Sequence, residues 1–333
     1  MKNWKLLTVL IAMLVFVLAA CGSSDEGTKE KEETTGSTGK EQTESNEEAS
    51  AFPMTIKSTV EGYEDVTFEK APEKIVVFDY GFLDTLDALG VEVTAVAKGN
   101  FPEHLSKFAD DKYLNAGGLK EPLFEDIAAM KPDVIFISGR QGDAYEQLKE
   151  IAPVVFVGTS NDDYWNSFHA SVQIAADLFG KQAEVDAKLA EIDAAIEEVK
   201  AISGASDEKA LVTLYNEKIS AYGPGAGSRY GFVHSVYGFP AAAEDLENST
   251  HGAQISYEQI LEINPDILFV VDRLAATGEK SNISEAFNND IVNKTNAAKN
   301  DKIIYLNGAL WYLAGGGLTS ELLKVNEIKA ALQ

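Results

Sequence analysis

FEDIAAMKPDVIFISGR (residues 124–140) and YEQILEINPDILFVVDR (residues 257–273) agree, without a gap, at six of seventeen positions. The shared residues are Glu125 and Glu258, Ile127 and Ile260, Pro132 and Pro265, Asp133 and Asp266, Phe136 and Phe269, and Arg140 and Arg273. Most remaining positions are apolar in both copies or polar in both. Each copy opens as a short amphipathic helix, turns at Pro-Asp and enters an apolar run, VIFIS or ILFVV. The pattern predicts helix, turn and buried strand, made twice in one chain.

Strand and helix signals alternate around both copies. KIVVFD, FLDTLDALG, VTAVA and VVFVG surround the first; ALVTLY, ISAYG and KIIYLN surround the second. Both halves therefore read as α/β units with largely parallel sheets. Between them KQAEVDAKLAEIDAAIEEVKAI carries Val185, Leu189, Ile192, Ile196, Val199 and Ile202 at steps of three and four. This is one long amphipathic helix, about 33 Å at 1.5 Å per residue. The predicted fold class is α/β, two similar lobes with largely parallel sheets joined by one long helix. The expected divisions are a signal at 1–20, a tether at 21–52, lobes at 53–165 and 204–333, and a connecting helical segment at 166–203.

The chain opens Met-Lys-Asn-Trp-Lys and runs through fifteen apolar-rich residues, Leu6–Ala20, to its sole cysteine, Cys21. A membrane span needs about 20 residues, so the pattern is that of an export signal. Leu18-Ala19-Ala20-Cys21 resembles the lipobox of bacterial lipoproteins, which implies cleavage before Cys21 and a lipid on its sulfur. With one cysteine, no disulfide forms within the chain. Residues 22–50 are too polar to offset the entropy of ordering and read as a flexible tether. The net charge of −25 argues against nucleic acid and against general attraction to anionic membranes, both of which call for surplus Lys and Arg.

Two α/β lobes joined by a helix, exported and lipid-anchored, resemble the ABC-transporter substrate-binding proteins of the helical-backbone type, in the iron-siderophore and vitamin B12 branch. The resemblance rests on the E-x-I…P-D unit in each half and on KIVVFDYGFLDTLDALGV near the start, and covers residues 53–333. It implies a ligand cleft between the lobes and a permease-docking glutamate on each, here Glu125 and Glu258. A helical connector implies a small closure.

Of 28 basic residues only three are arginines, Arg140, Arg229 and Arg273. Arginine brings a planar fork that grips oxygen anions bidentately. Arg140 and Arg273 end the repeated strands, and in α/β sheets ligands lie at the carboxyl ends of strands. Arg229 sits in the glycine-rich YGPGAGSRYGF. Such a triplet suits a compact trianion, and a ferric ion held by three catecholates is one. Candidate aromatic walls are Tyr80, Phe101, Trp165, Tyr230, Trp311 and Tyr312. The likeness extends to Gram-positive lipoprotein receptors for ferric catecholate siderophores, petrobactin above all, and that resemblance alone supplies the ligand's name.

Other chemistries fit less well. His104, His169, His234 and His251 are scattered, so no metal is held directly and the iron stays with its siderophore. GPGAGS lacks the Gly-Lys-Ser/Thr ending of a phosphate loop. No nucleophile motif is visible. The expectation is therefore no enzyme and no cofactor. The chain reads as a monomeric receptor on the outer face of a Gram-positive cell membrane, held there by its lipid anchor, that hands a ferric siderophore to ABC permease subunits with a cytoplasmic ATPase. The alternatives are a receptor for another iron chelate, haem or cobalamin, and, in a different class, an exported α/β enzyme.

Overall fold

The computed structural model describes residues 52–58 and 60–333. The expected signal, Cys21 and nearly all of the tether lie outside the described residues.

The repeated unit is built alike in both halves. Helix Phe124–Met130 ends at Lys131 (φ 52°) and strand β6, Val134–Ile137, follows. Helix Tyr257–Ile263 ends at Asn264 (φ 50°) before strand β11, Ile267–Asp272. A left-handed residue closes each helix and the proline that follows cannot extend it. The aspartate after each proline fastens the unit to the neighbouring strand. Asp133 Oδ2 accepts from the Glu73 and Lys74 amides at 2.9 and 2.8 Å. Asp266 Oδ2 accepts from the Lys209 amide at 3.0 Å. The shared Pro-Asp is thus structural.

Two five-stranded sheets result. The first, in order β5-β4-β3-β6-β7, joins β3 (Ile75–Val77), β4 (Ala95–Val96), β5 (Leu114–Asn115), β6 and β7 (Val154–Phe156), every pair parallel. The second, in order β10-β9-β8-β11-β12, joins β8 (Ala210–Asn216), β9 (Lys218–Tyr222), β10 (Ala253–Ile255), β11 and β12 (Ile303–Leu306). Its β8, β11 and β12 are parallel, whereas β9 is antiparallel to both neighbours. A hairpin at Glu217 (φ 58°), pairing Asn216 with Lys218, reverses the chain there. A small antiparallel ribbon, β1 (Met54–Ile56) with β2 (Val66–Phe68), precedes the first sheet.

Both faces of the second sheet are covered. Phe269 and Val271 of β11 join one apolar cluster, and Leu268 and Val270 join the other. A strand buried on both faces reads as a continuous apolar run, as ILFVV does.

The long helix spans Gln182–Ser203 and buries Val185, Ile192, Ala195, Ile196 and Val199. Leu189 and Ile202 are half-buried. It packs against the terminal helix Leu318–Leu332, which is capped from the far end of the sequence. Asp84, in helix Tyr80–Ala88, accepts from the Thr319 amide (2.9 Å), the Ser320 amide (2.7 Å) and Ser320 Oγ (2.9 Å). A carboxylate on the exposed amides of a helix start satisfies donors that have no partner inside the helix.

Candidate functional site

A cavity of about 870 Å³ opens between the carboxyl ends of the two sheets, lined from the first by Ser138, Gly139 and Arg140 and from the second by Arg229, Tyr230 and Tyr312. Its size falls in the range of small-molecule sites.

The three arginines converge on one ring. The guanidinium carbons of Arg140, Arg229 and Arg273 lie 5.8, 5.1 and 5.3 Å from the Tyr312 ring centroid. Each arginine is half-buried. Arg140 Nη2 donates to the Tyr312 carbonyl at 2.6 Å, and Arg229 Nε donates to the Thr250 carbonyl at 3.0 Å. Burial pushes the Tyr312 phenol up, but a hydrogen bond with Arg273 and the charges of all three arginines outweigh it and hold the phenol below its usual value. Among the described residues no carboxylate lies within 4.0 Å of any of these guanidinium groups. In a chain of net charge −25, three arginines with no carboxylate within 4.0 Å concentrate positive charge at one place.

Close approach of backbone sets this geometry. A Cβ on Gly308 would lie 1.7 Å from the Asp272 carbonyl oxygen. Asp272 ends β11 and caps the helix Arg273–Ala276, and Gly308 precedes the turn Ala309–Leu313 that carries Trp311 and Tyr312. Glycine at 308 lets that turn come up against the strand end where Arg273 begins.

An aromatic stack continues from the cleft inward. Tyr164 and Phe232 stack at 4.3 Å, and Phe232 and Trp311 at 5.9 Å. The buried Lys324 Nζ stands 5.0, 4.8 and 5.5 Å from the Tyr164, Phe232 and Trp311 rings. It pairs with the equally buried Glu321 at 2.6 Å and donates to the Tyr164 hydroxyl at 2.8 Å. Glu321 also takes hydrogen bonds from the Tyr164 hydroxyl and, at 2.8 Å, from the Gly316 amide. Trp311 Nε1 donates to Glu327 at 2.6 Å. All four of Tyr164, Phe232, Trp311 and Lys324 reach the cavity lining.

The aromatic residues named from sequence divide. Trp311, Tyr312 and Tyr230 line the cavity, whereas Tyr80, Phe101 and Trp165 do not. Tyr80 opens a helix capped by Asp79, so its fully buried ring turns inward, stacks on Phe101 at 4.8 Å and donates its hydroxyl to the Ala97 carbonyl. Trp165 packs on Phe168 and His169. Arg273 reaches Tyr312 without lining the cavity itself. The sequence reading missed Tyr164, Phe232, Lys324 and His251, which line the cavity. Glu321 and Lys324 stand three apart on the terminal helix and look from sequence like a solvated pair. Glu125 and Glu258 are exposed in the first turns of their helices. Among the described residues no group of three His, Cys, Asp or Glu is placed to hold a metal.

Two sheets of βα units with a cavity and three clustered arginines at their carboxyl ends are the arrangement of a two-lobed solute-binding protein. The chain matches the periplasmic binding protein family over residues 75–310 and belongs to it. It is 40% identical over 336 residues to the petrobactin-binding protein YclQ of Bacillus subtilis, covering 100% of both chains. The ferric-anguibactin-binding protein FatB of Vibrio anguillarum is 33% identical over 267 residues, 77% of this chain and 81% of that one. The crystal structure of YclQ superposes with a TM-score of 0.79 at 41% identity, over 84% of this chain and 98% of that one. That of the periplasmic catecholate-siderophore binding protein VctP from Vibrio cholerae gives 0.77 at 34% identity, over 83% and 99%. These relatives are binding proteins, not enzymes.

Proposed function

We propose that this chain captures a ferric siderophore of the catecholate type, petrobactin-like, and delivers it to an ABC importer. The observation that carries the reading is the set of three arginines around Tyr312, none of them with a carboxylate within 4.0 Å among the described residues. Charge-assisted hydrogen bonds from guanidinium forks are the strong, oriented kind that planar oxygen anions accept. The 40% identity with a petrobactin-binding protein over the whole chain supports the same ligand class. The complex is cargo, and the iron stays with the siderophore's oxygens.

The receptor works as a monomer. Residues 53–165 and 204–333 are its lobes, 166–203 its connecting segment, 1–20 its export signal and 21–52 its tether. Cys21 carries the lipid that holds it on the outer face of the cell membrane, and Glu125 and Glu258 dock on the permease, whose ATPase subunits work from the cytoplasm. Closure on the ligand is small because a helix joins the lobes.

Titration of intrinsic fluorescence with ferric petrobactin, ferric enterobactin, a ferric hydroxamate, haem and cobalamin tests the reading. The ferric catecholates quench at stoichiometric concentration; quenching by the hydroxamate or cobalamin alone overturns it.

A further inference from the structure

Sequence suggested Tyr230 as a wall, offering its ring to the ligand. In the fold that ring is already engaged. It meets Tyr222 edge-on at 4.8 Å and lies 6.4 Å from both Phe232 and Trp311. What remains free is the hydroxyl. Tyr230 is 1% exposed, lines the cavity, and its buried hydroxyl has no hydrogen-bond partner among the described residues. The hydroxyls of two other deeply placed tyrosines are both used, Tyr80 on the Ala97 carbonyl and Tyr164 on Glu321. Tyr237 also has an unpartnered hydroxyl, but it stands outside the cavity lining.

A buried polar group left unpaired costs free energy, about 1–3 kcal/mol, so such a group at the wall of a binding cavity is a place where a ligand completes the protein's hydrogen bonding. The neighbours of Tyr230 say which kind of ligand atom. Burial pushes its phenol well above the usual value, although Arg229 and Arg140 pull in the opposite direction. The group is therefore a protonated O–H, able to donate, and the same two arginines draw a negative oxygen toward it.

We propose that Tyr230 is a ligand-binding donor whose O–H donates to a catecholate oxygen held between Arg229 and Arg140. It deepens the ferric-catecholate reading and rests on it. Arginine forks recognise charge, and many anions satisfy them. A neutral donor at fixed depth adds a requirement for an acceptor oxygen at one point, and a ligand that presents carbon or N–H there leaves the hydroxyl unpaired and binds less well.

Tyr230→Phe removes the hydroxyl and keeps the ring packing. Affinity for ferric petrobactin or ferric enterobactin, read by fluorescence titration against wild type, falls about 10- to 100-fold, the range for a hydrogen bond to a charged acceptor. The melting temperature of the ligand-free protein stays level or rises, since no protein hydrogen bond is lost. A structural tyrosine gives the opposite pair of results. Affinity within twofold of wild type overturns the proposal, and so does a lowered melting temperature in the ligand-free variant. Failure of the wild type to bind any ferric catecholate overturns the ligand reading and the Tyr230 assignment together, which separates it from a failure of Tyr230 alone.

Discussion

Arg140 Nη2 donates to the Tyr312 main-chain oxygen at 2.6 Å, across 172 residues of sequence. One residue follows β6 of the first sheet and the other follows β12 of the second, so this bond crosses the cleft. Arg140 thus ties the end of the first sheet to the turn that presents Tyr312.

Replacing Arg140 by Lys keeps the charge and loses the fork. Lysine is a compact, strongly hydrated point charge and cannot serve the Tyr312 carbonyl and a ligand oxygen in one plane. Affinity for a ferric catecholate falls about tenfold or more, equivalent to roughly 1.4 kcal/mol, as isothermal titration would show. Equal affinity in Arg140→Lys and wild type would leave a generic electrostatic role.

Gly308→Ala places a methyl group where the Asp272 carbonyl stands. The turn Ala309–Leu313 must back away from β11, separating Tyr312 from Arg273. Overpacking of this kind costs about 1–3 kcal/mol. Denaturant unfolding reads the stability loss, and the affinity for ferric siderophore falls with it. A variant with wild-type stability and affinity would show that the close approach is dispensable.

Lys324 and Glu321 are both buried and paired at 2.6 Å. Lys324→Met leaves Glu321 as an uncompensated charge in the interior, at a cost of about 3–5 kcal/mol. Lys324→Met combined with Glu321→Leu recovers much of that loss, because the pair as a whole adds little net stability. Urea titrations of the two variants separate charge compensation from packing; a double variant no better than the single one would assign the loss to packing against the three rings.

Asp133 sets an acid limb. Its hydrogen bonds from the Lys74 and Glu73 amides hold its carboxyl below 3.8. Between the folded value and 3.8 the unfolded chain binds more protons, so stability rises with pH there and is lost as pH falls through the folded value. Asp133→Asn flattens the decline of unfolding free energy as pH falls below 3.8 toward the folded value. An unchanged slope would place the acid sensitivity elsewhere.

The duplicated unit was legible because it is local. Apolar periodicity, Pro-Asp and a short strand suffice to define it, and the structure adds the left-handed caps at Lys131 and Asn264. The hairpin at Glu217 was not legible, since β8 and β9 are each apolar and nothing in Asn-Glu-Lys carries the glycine signal of a tight reversal. Tyr80 was misplaced by one step of structure. Asp79 caps a helix beginning at Tyr80, so a ring expected to wall the cleft faces the core. Lys324 and Glu321 could not be read at all, because three-residue spacing on a helix looks the same whether the face meets water or three aromatic rings. The convergence of the arginines lay between these cases. Their rarity was visible in composition, but their common target, Tyr312, depends on Gly308 and Asp272 meeting across the fold.

Asp84 caps a helix that begins more than two hundred residues later. A chain synthesised from its N-terminus therefore makes Asp84, and the His104 imidazole 3.6 Å from its other oxygen, long before the amides that Asp84 caps, and the helix that supplies them also brings Lys324 to the cavity wall with Glu321 paired to it. Long-range closure of this kind comes late in folding. A partly made or clipped molecule that lacks this helix holds both repeated strands and the arginines that follow them, yet is without the Lys324 that lines the cavity behind Phe232 and Trp311.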